Sequence, residues 1–181
     1  VALLMDVSLI ILPAGEEGFV HSLLDSFLAE VQKHCGEEIA LLSRAIYDWA
    51  LGEFGAIHFG QGAELGAFGP TLIHDGSEAR VFVIRSDGRI TIRFMYFKTK
   101  SWIEDRTVLN EFRERLNKIP GMDLNEKDLG GKPKRPLDLL LNPSNLNLFK
   151  SAVTWLREQA LQQGSSRAIE RLEGSWNHYQ C

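Results

Sequence analysis

Apolar residues recur at helical spacing along most of this chain, but between residues 68 and 100 they fall at every second position. That stretch reads as a β-meander, with helices laid around it. Asp87-Gly88 stands between two alternating runs, the strongest short-range hairpin signal. As a two-residue type I′ loop it pairs Ser86 with Arg89, Val83 with Ile92 and Val81 with Phe94. One face then carries Val81, Val83, Ile90, Ile92, Phe94 and Tyr96, and is the expected core side. The other carries Phe82, Ile84, Arg89, Thr91, Arg93 and Met95. A slip of one residue would exchange the faces. Asp75-Gly76 is a second hairpin signal, joining residues 68–74 to 78–86. Pro70 predicts an edge strand or a strand start, because proline has no N–H to give a ladder. The nearby glycines 60, 62, 66 and 69 predict a tightly turned approach or a short extra strand at 56–59.

Helical stripes predict helices of at least three turns near 17–35, 38–52, 105–118 and 146–162. Their apolar sides run through Phe27 and Val31, Ile39 to Trp49, Val108 to Leu116, and Phe149 to Leu156. Gly36 either separates the first two helices or sits inside one long helix at a cost of about 1 kcal/mol. Residues 122–136 read as a loop. Ser144 or Asn145 is the expected cap of the fourth helix and Gly164 its end, with 165–181 a peripheral segment. Residues 1–14 read as an N-terminal strand or linker. The expected fold is α+β, a small antiparallel meander of three to five strands with flanking helices. Residues 1–181 read as a single domain, whole or a fragment of a longer protein. Trp49, Phe112 and Trp155 are expected to pack against Val83, Ile92 and Phe94.

Composition narrows the function classes only slightly. Hydrophobic content of 44% and charged content of 24% are ordinary for a globular protein. A formal net charge of -4 argues against a general charge-driven nucleic-acid binder and leaves room for a local basic face. Cys35 and Cys181 form no framework and read as separate thiols in a reducing compartment. The apolar run at 1–13 is too short to span a bilayer and lacks a basic flank, so no membrane association is expected.

The candidate chemistry is basic. Arg80, Arg85, Arg89, Arg93, Lys98 and Lys100 share one short interval in which Asp87 is the only acid. Arginines on a strand can grip phosphate in bidentate fashion, and Phe82 and Met95 beside Arg89 and Arg93 would offer bases a stacking platform. A second basic run is Gly130-Gly131-Lys132-Pro133-Lys134-Arg135-Pro136. It lacks the spacing of a nucleotide-binding P-loop and otherwise reads as a solvated turn. Arg89, Arg93, Lys132, Lys134 and Arg135 are therefore the candidate anion- or partner-binding residues. The partners that fit are a nucleic acid or an acidic protein, and the chain is compatible with a homo-oligomer or a place in a larger chain.

No catalytic, cofactor or metal residue is assigned, and the leading expectation is a non-catalytic binding module. The alternative is a metal-dependent nuclease-like enzyme acting on nucleic acid. His58, Glu64, His74, Asp75 and Glu78 surround the start of the meander. Yet Glu78-Ala79-Arg80 supplies only half of an acid-and-lysine pattern, and arginine is no base at neutral pH. The glycine-rich 60–66 stretch lacks the dinucleotide fingerprint. Cys35 at a helix end beside His34 should have a raised rather than a lowered pKa.

Four features carry a resemblance: the glycine-rich 58–68 stretch, the Asp87-Gly88 hairpin ending in Phe94-Met95-Tyr96-Phe97, the Leu116–Gly121 helix end, and residues 132–141 with the Trp155 helix behind them. Together they resemble a domain found in uncharacterised bacterial proteins, over about residues 37–160. The resemblance implies a bacterial, cytoplasmic setting and no established activity.

Overall fold

The computed structural model describes residues 17–61, 66–74, 77–97 and 106–176, with side chains at 21–60, 66–73, 77–97 and 106–162. The expectations for residues 1–14, for Glu64, Asp75, Lys98, Lys100 and Cys181, and for the His74 side chain concern positions outside these. The architecture is α+β, an antiparallel sheet flanked by helices. Helices α1 (Glu17–Cys35) and α2 (Glu37–Phe54) are separate, broken at Gly36, whose φ of 90° is rarely open to other residues. Gly55 closes α2 in the left-handed conformation, its N–H bonded to the Leu51 carbonyl at 2.9 Å.

Six strand segments follow among the described residues: β1 (Ile57–Gln61), β2 (Gly66–His74), β3 (Ser77–Arg80), β4 (Phe82–Arg85), β5 (Arg89–Ile92) and β6 (Lys134–Pro136). The order is β1-β2-β4-β5-β6, with β3 also on β2. The extra strand at 56–59 is thus real as β1, and 122–136 is not all loop. Pro133 and Pro136 hold the chain extended, and β6 pairs with β5. Leu137 N–H donates to Gly88 at one end, and Ile92 and Met95 donate to Pro133 and Gly131 at the other.

The hairpin register differs from the expected one by one residue. Arg85 faces Arg89 and Phe82 faces Ile92, so the loop has three residues. Gly88 N–H bonds the Arg85 carbonyl, and only Gly88 takes a positive φ, 73°. This is a type I turn closed by a left-handed glycine, which suits Asp-Gly as well as the two-residue loop does. The slip turns β4 over. Phe82 and Ile84, expected outside, are fully buried with Ile90 and Ile92, while Val83 is half-buried on the opposite face.

Pro70 lies within β2 rather than at an edge, between β1 and the β3–β4 strand. A bulge accommodates it. β2 pairs Thr71 with Arg80 and Phe68 with Ile84, so three residues, Val81 to Val83, oppose Gly69 and Pro70. The extra residue removes the demand for a proline N–H, and Val81 instead donates to the Pro70 carbonyl. Gly69 lets the strands close up, since a Cβ there would sit 2.0 Å from the Phe82 carbonyl oxygen.

Helices cover one face of this sheet and its end beyond β5. Phe27 of α1 and Tyr47 of α2 meet Phe68 edge-on, with ring centroids 5.1 and 5.4 Å away. Phe112 of α3 (Arg106–Leu116) meets Phe94 at 5.6 Å, and Phe149 of α4 (Pro143–Trp176) meets Phe82 at 5.1 Å. Trp49 stacks on Phe82 at the core margin. Trp155 is only half-buried, packed at the margin of the core under the Arg115 guanidinium. Asn142, rather than Ser144 or Asn145, begins α4, its Oδ1 accepting from Ser144 N–H ahead of Pro143. The helix runs on through Gly164, since one glycine among helix formers costs only about 1 kcal/mol. No helix of the described residues is long and apolar enough to cross a membrane.

Candidate anion-binding site

The site forms where β5 stops being a strand. Phe94 and Phe97 are both fully buried, and two residues three apart cannot both face one side of a strand. The chain solves this with a 3-10 turn over Phe94–Tyr96, in which Tyr96 N–H bonds Arg93 and Phe97 N–H bonds Phe94. Between the buried anchors, Met95 and Tyr96 are thrown outward, and Met95 is 38% exposed. Met95 N–H takes the Gly131 carbonyl, which sets Lys132 across from Arg93.

Two cations consequently meet one phenol. The Arg93 guanidinium carbon lies 4.3 Å from the Tyr96 ring centroid and Lys132 Nζ lies 5.5 Å from it. Arg93 also donates to the Tyr96 hydroxyl oxygen. Burial alone would raise the Tyr96 pKa, but Arg93, through charge and hydrogen bond, and the charges of Lys132 and Arg80 outweigh it and lower it. Arg93 Nε is buried and makes no hydrogen bond. Among the described residues neither Arg93 nor Lys132 is paired with a carboxylate.

The other candidates divide by face. Arg89 and Lys134 are exposed, and alternation sets them on the same outer face as Arg93, with Thr91 buried between them. Arg85, also on that face, is paired with Asp87 at 3.4 Å. Arg135 pairs with Ile90 and belongs to the helix-covered side. It donates to the carbonyls of Met122, Asp123 and Lys134 and lies 3.6 Å from Asp128. It ties the 122–128 segment to the sheet and has little left for a ligand. The expected platform of Phe82 and Met95 does not form, since Phe82 lies buried under the helices and of the pair only Met95 is exposed. Tyr96 takes that place, and sequence reasoning assigned it to the core. The signal was available in the Phe94–Phe97 spacing, which fits a turn and not a strand.

The nuclease alternative finds no cluster here. Among the described residues no group of three His, Cys, Asp or Glu side chains could hold a metal ion. His58 is buried opposite Gly69, and Glu78 is exposed opposite Ile73. Cys35 has a raised pKa, caused by burial first and by the Asp87 carboxylate second, and its thiol points at the Ser86 carbonyl. Comparison with family models, with curated proteins and with solved structures finds no match for this chain.

Proposed function

We propose that this chain is a binding module that recognises the phosphate backbone of a nucleic acid through its outer sheet face. The observation that carries the reading is the pairing of Arg93 and Lys132 at Tyr96 without a carboxylate partner among the described residues, in line with exposed Arg89 and Lys134. Cations left unneutralised along one face are what a phosphate backbone needs. The acid of the chain lies mostly outside the meander, so the field also orients the approach of a polyanion. The setting that goes with this reading is the bacterial cytoplasm.

The test is binding of labelled single- and double-stranded oligonucleotides at low and at physiological salt. Affinity should fall steeply with salt, and Arg93→Gln should lower the slope of log K against log salt by about 0.7 to 0.9. An acidic protein partner would instead give a localised interface with a milder salt dependence. Absence of binding at low salt, or binding indifferent to Arg93→Gln and Lys132→Gln, would overturn the proposal.

A further inference from the structure

The outer face is not uniform. Along β5 the basic groups stand apart, separated by Thr91. At the end of the strand they converge: Arg93 and Lys132 lie over one ring. A phosphodiester carries one negative charge, so two cations gathered over one ring exceed what a single backbone phosphate requires. A phosphate monoester carries about 1.5 to 2 charges at neutral pH and three strong acceptor oxygens. Arginine supplies a planar fork for two such oxygens, lysine a point charge, and the phenol a hydroxyl.

We infer that the Arg93–Tyr96–Lys132 cluster is a seat for a terminal phosphate monoester, so that the domain holds phosphorylated ends of a nucleic-acid strand. The inference rests on the nucleic-acid reading above and narrows it to one group at one end of the face. The seat lies beyond the last pair of β5, so a strand lying along Arg89 and Lys134 would reach it with its terminus. The groups that act on the phenol are Arg93 from the end of β5, Lys132 from the lead into β6 and Arg80 from β3. Asp128 on the neighbouring turn is held by Arg135 and by the Asn125 N–H.

The experiment compares one oligonucleotide bearing a 5′-phosphate, a 3′-phosphate or hydroxyl ends, with inorganic phosphate as a separate probe, all on the full chain. One phosphorylated end should bind about tenfold tighter than the hydroxyl form, a gain within reach of two charge-assisted hydrogen bonds. Lys132→Gln should erase the gain from the phosphorylated end, whereas Lys134→Gln, away from the seat, should weaken all three forms alike and leave the gain in place. A second readout is the phenolate absorbance of Tyr96, whose titration should move to higher pH on adding inorganic phosphate and vanish in Tyr96→Phe. Equal binding of all three ends would overturn the seat and leave the backbone-binding proposal standing. A phosphate-induced shift of Tyr96 with no oligonucleotide binding would keep the seat and overturn the nucleic-acid reading. No binding and no shift would overturn both.

Discussion

The two faces of this sheet use the same strands for opposite purposes, and two tyrosines report the difference. Tyr47 packs edge-on against Phe68 on the inner face, where burial first and Asp48 second raise its pKa. Tyr96 stands on the outer side, where burial also works to raise its pKa but Arg93, Lys132 and Arg80 prevail and lower it. The inner face takes its identity from rings in contact, a term that depends on shape. The outer face takes its identity from gathered charge, which depends on which residues a register brings opposite one another. A strand pattern therefore encodes the inner face twice, in hydrophobicity and in volume, while the outer face is encoded by alignment alone.

The largest test of this contrast is a pair of truncations on neighbouring residues. Phe82→Ala should cost about 3–5 kcal/mol, since its fully buried ring contacts Trp49 and Phe149. Val83→Ala, half-buried on the other face, should cost about 1 kcal/mol. Urea denaturation of both variants decides the register, because the two-residue loop would put Val83 in the core and reverse the order.

A smaller effect separates the two adjacent basic residues of β6. Arg135→Ala removes the donors of the Met122 and Asp123 carbonyls and should cost about 1–3 kcal/mol. Lys134→Ala, exposed on the outer face, should stay within about 0.5 kcal/mol and act on oligonucleotide affinity instead. A stability loss at Lys134 equal to that at Arg135 would erase the division of faces drawn here.

The smallest effect is alkaline. Tyr47, raised, contributes stability that is whole below the unfolded value near 10.0 and is lost as pH rises through its folded pKa. Tyr96, lowered, contributes stability that is whole above that value and is lost as pH falls through its folded pKa. Ultraviolet titration of phenolate should therefore show an early step absent from Tyr96→Phe and a late step absent from Tyr47→Phe. Both steps at the ordinary tyrosine value would remove the electrostatic half of the comparison.

The helices were the most legible part of the chain. Stripes such as Ile39, Leu42 and Ile46 repeat often enough that one misplaced residue does not move the helix. The sheet was legible in kind and not in register. Asp87-Gly88 serves two loop lengths, and the choice between them is made by Gly69, by the bulge opposite Pro70 and by Cys35, which packs against Gly88. None of these is local to the hairpin. The candidate site suffered the same way. Arg93 and Lys132 are far apart in the chain, and they meet only because two prolines and a 3-10 turn bring β6 beside the end of β5. Arg135, equal to them in composition, was removed from the site by pointing the other way.

The bulge at Val81 has a consequence for how this hairpin can assemble. Below it the strands align as His74 with Ser77, and above it as Phe68 with Ile84, two alignments offset by one residue. A pair that zips from the Asp75-Gly76 end in one uniform alignment reaches Pro70 with the wrong partner and no N–H to offer. A pair sliding by one residue to repair the upper half spoils the lower. Uniform ladders can creep through a series of nearly equivalent pairings, some of them open to a second chain at the edge. This one has a single alignment that satisfies both halves, so the discontinuity works as a vernier against near-miss pairings.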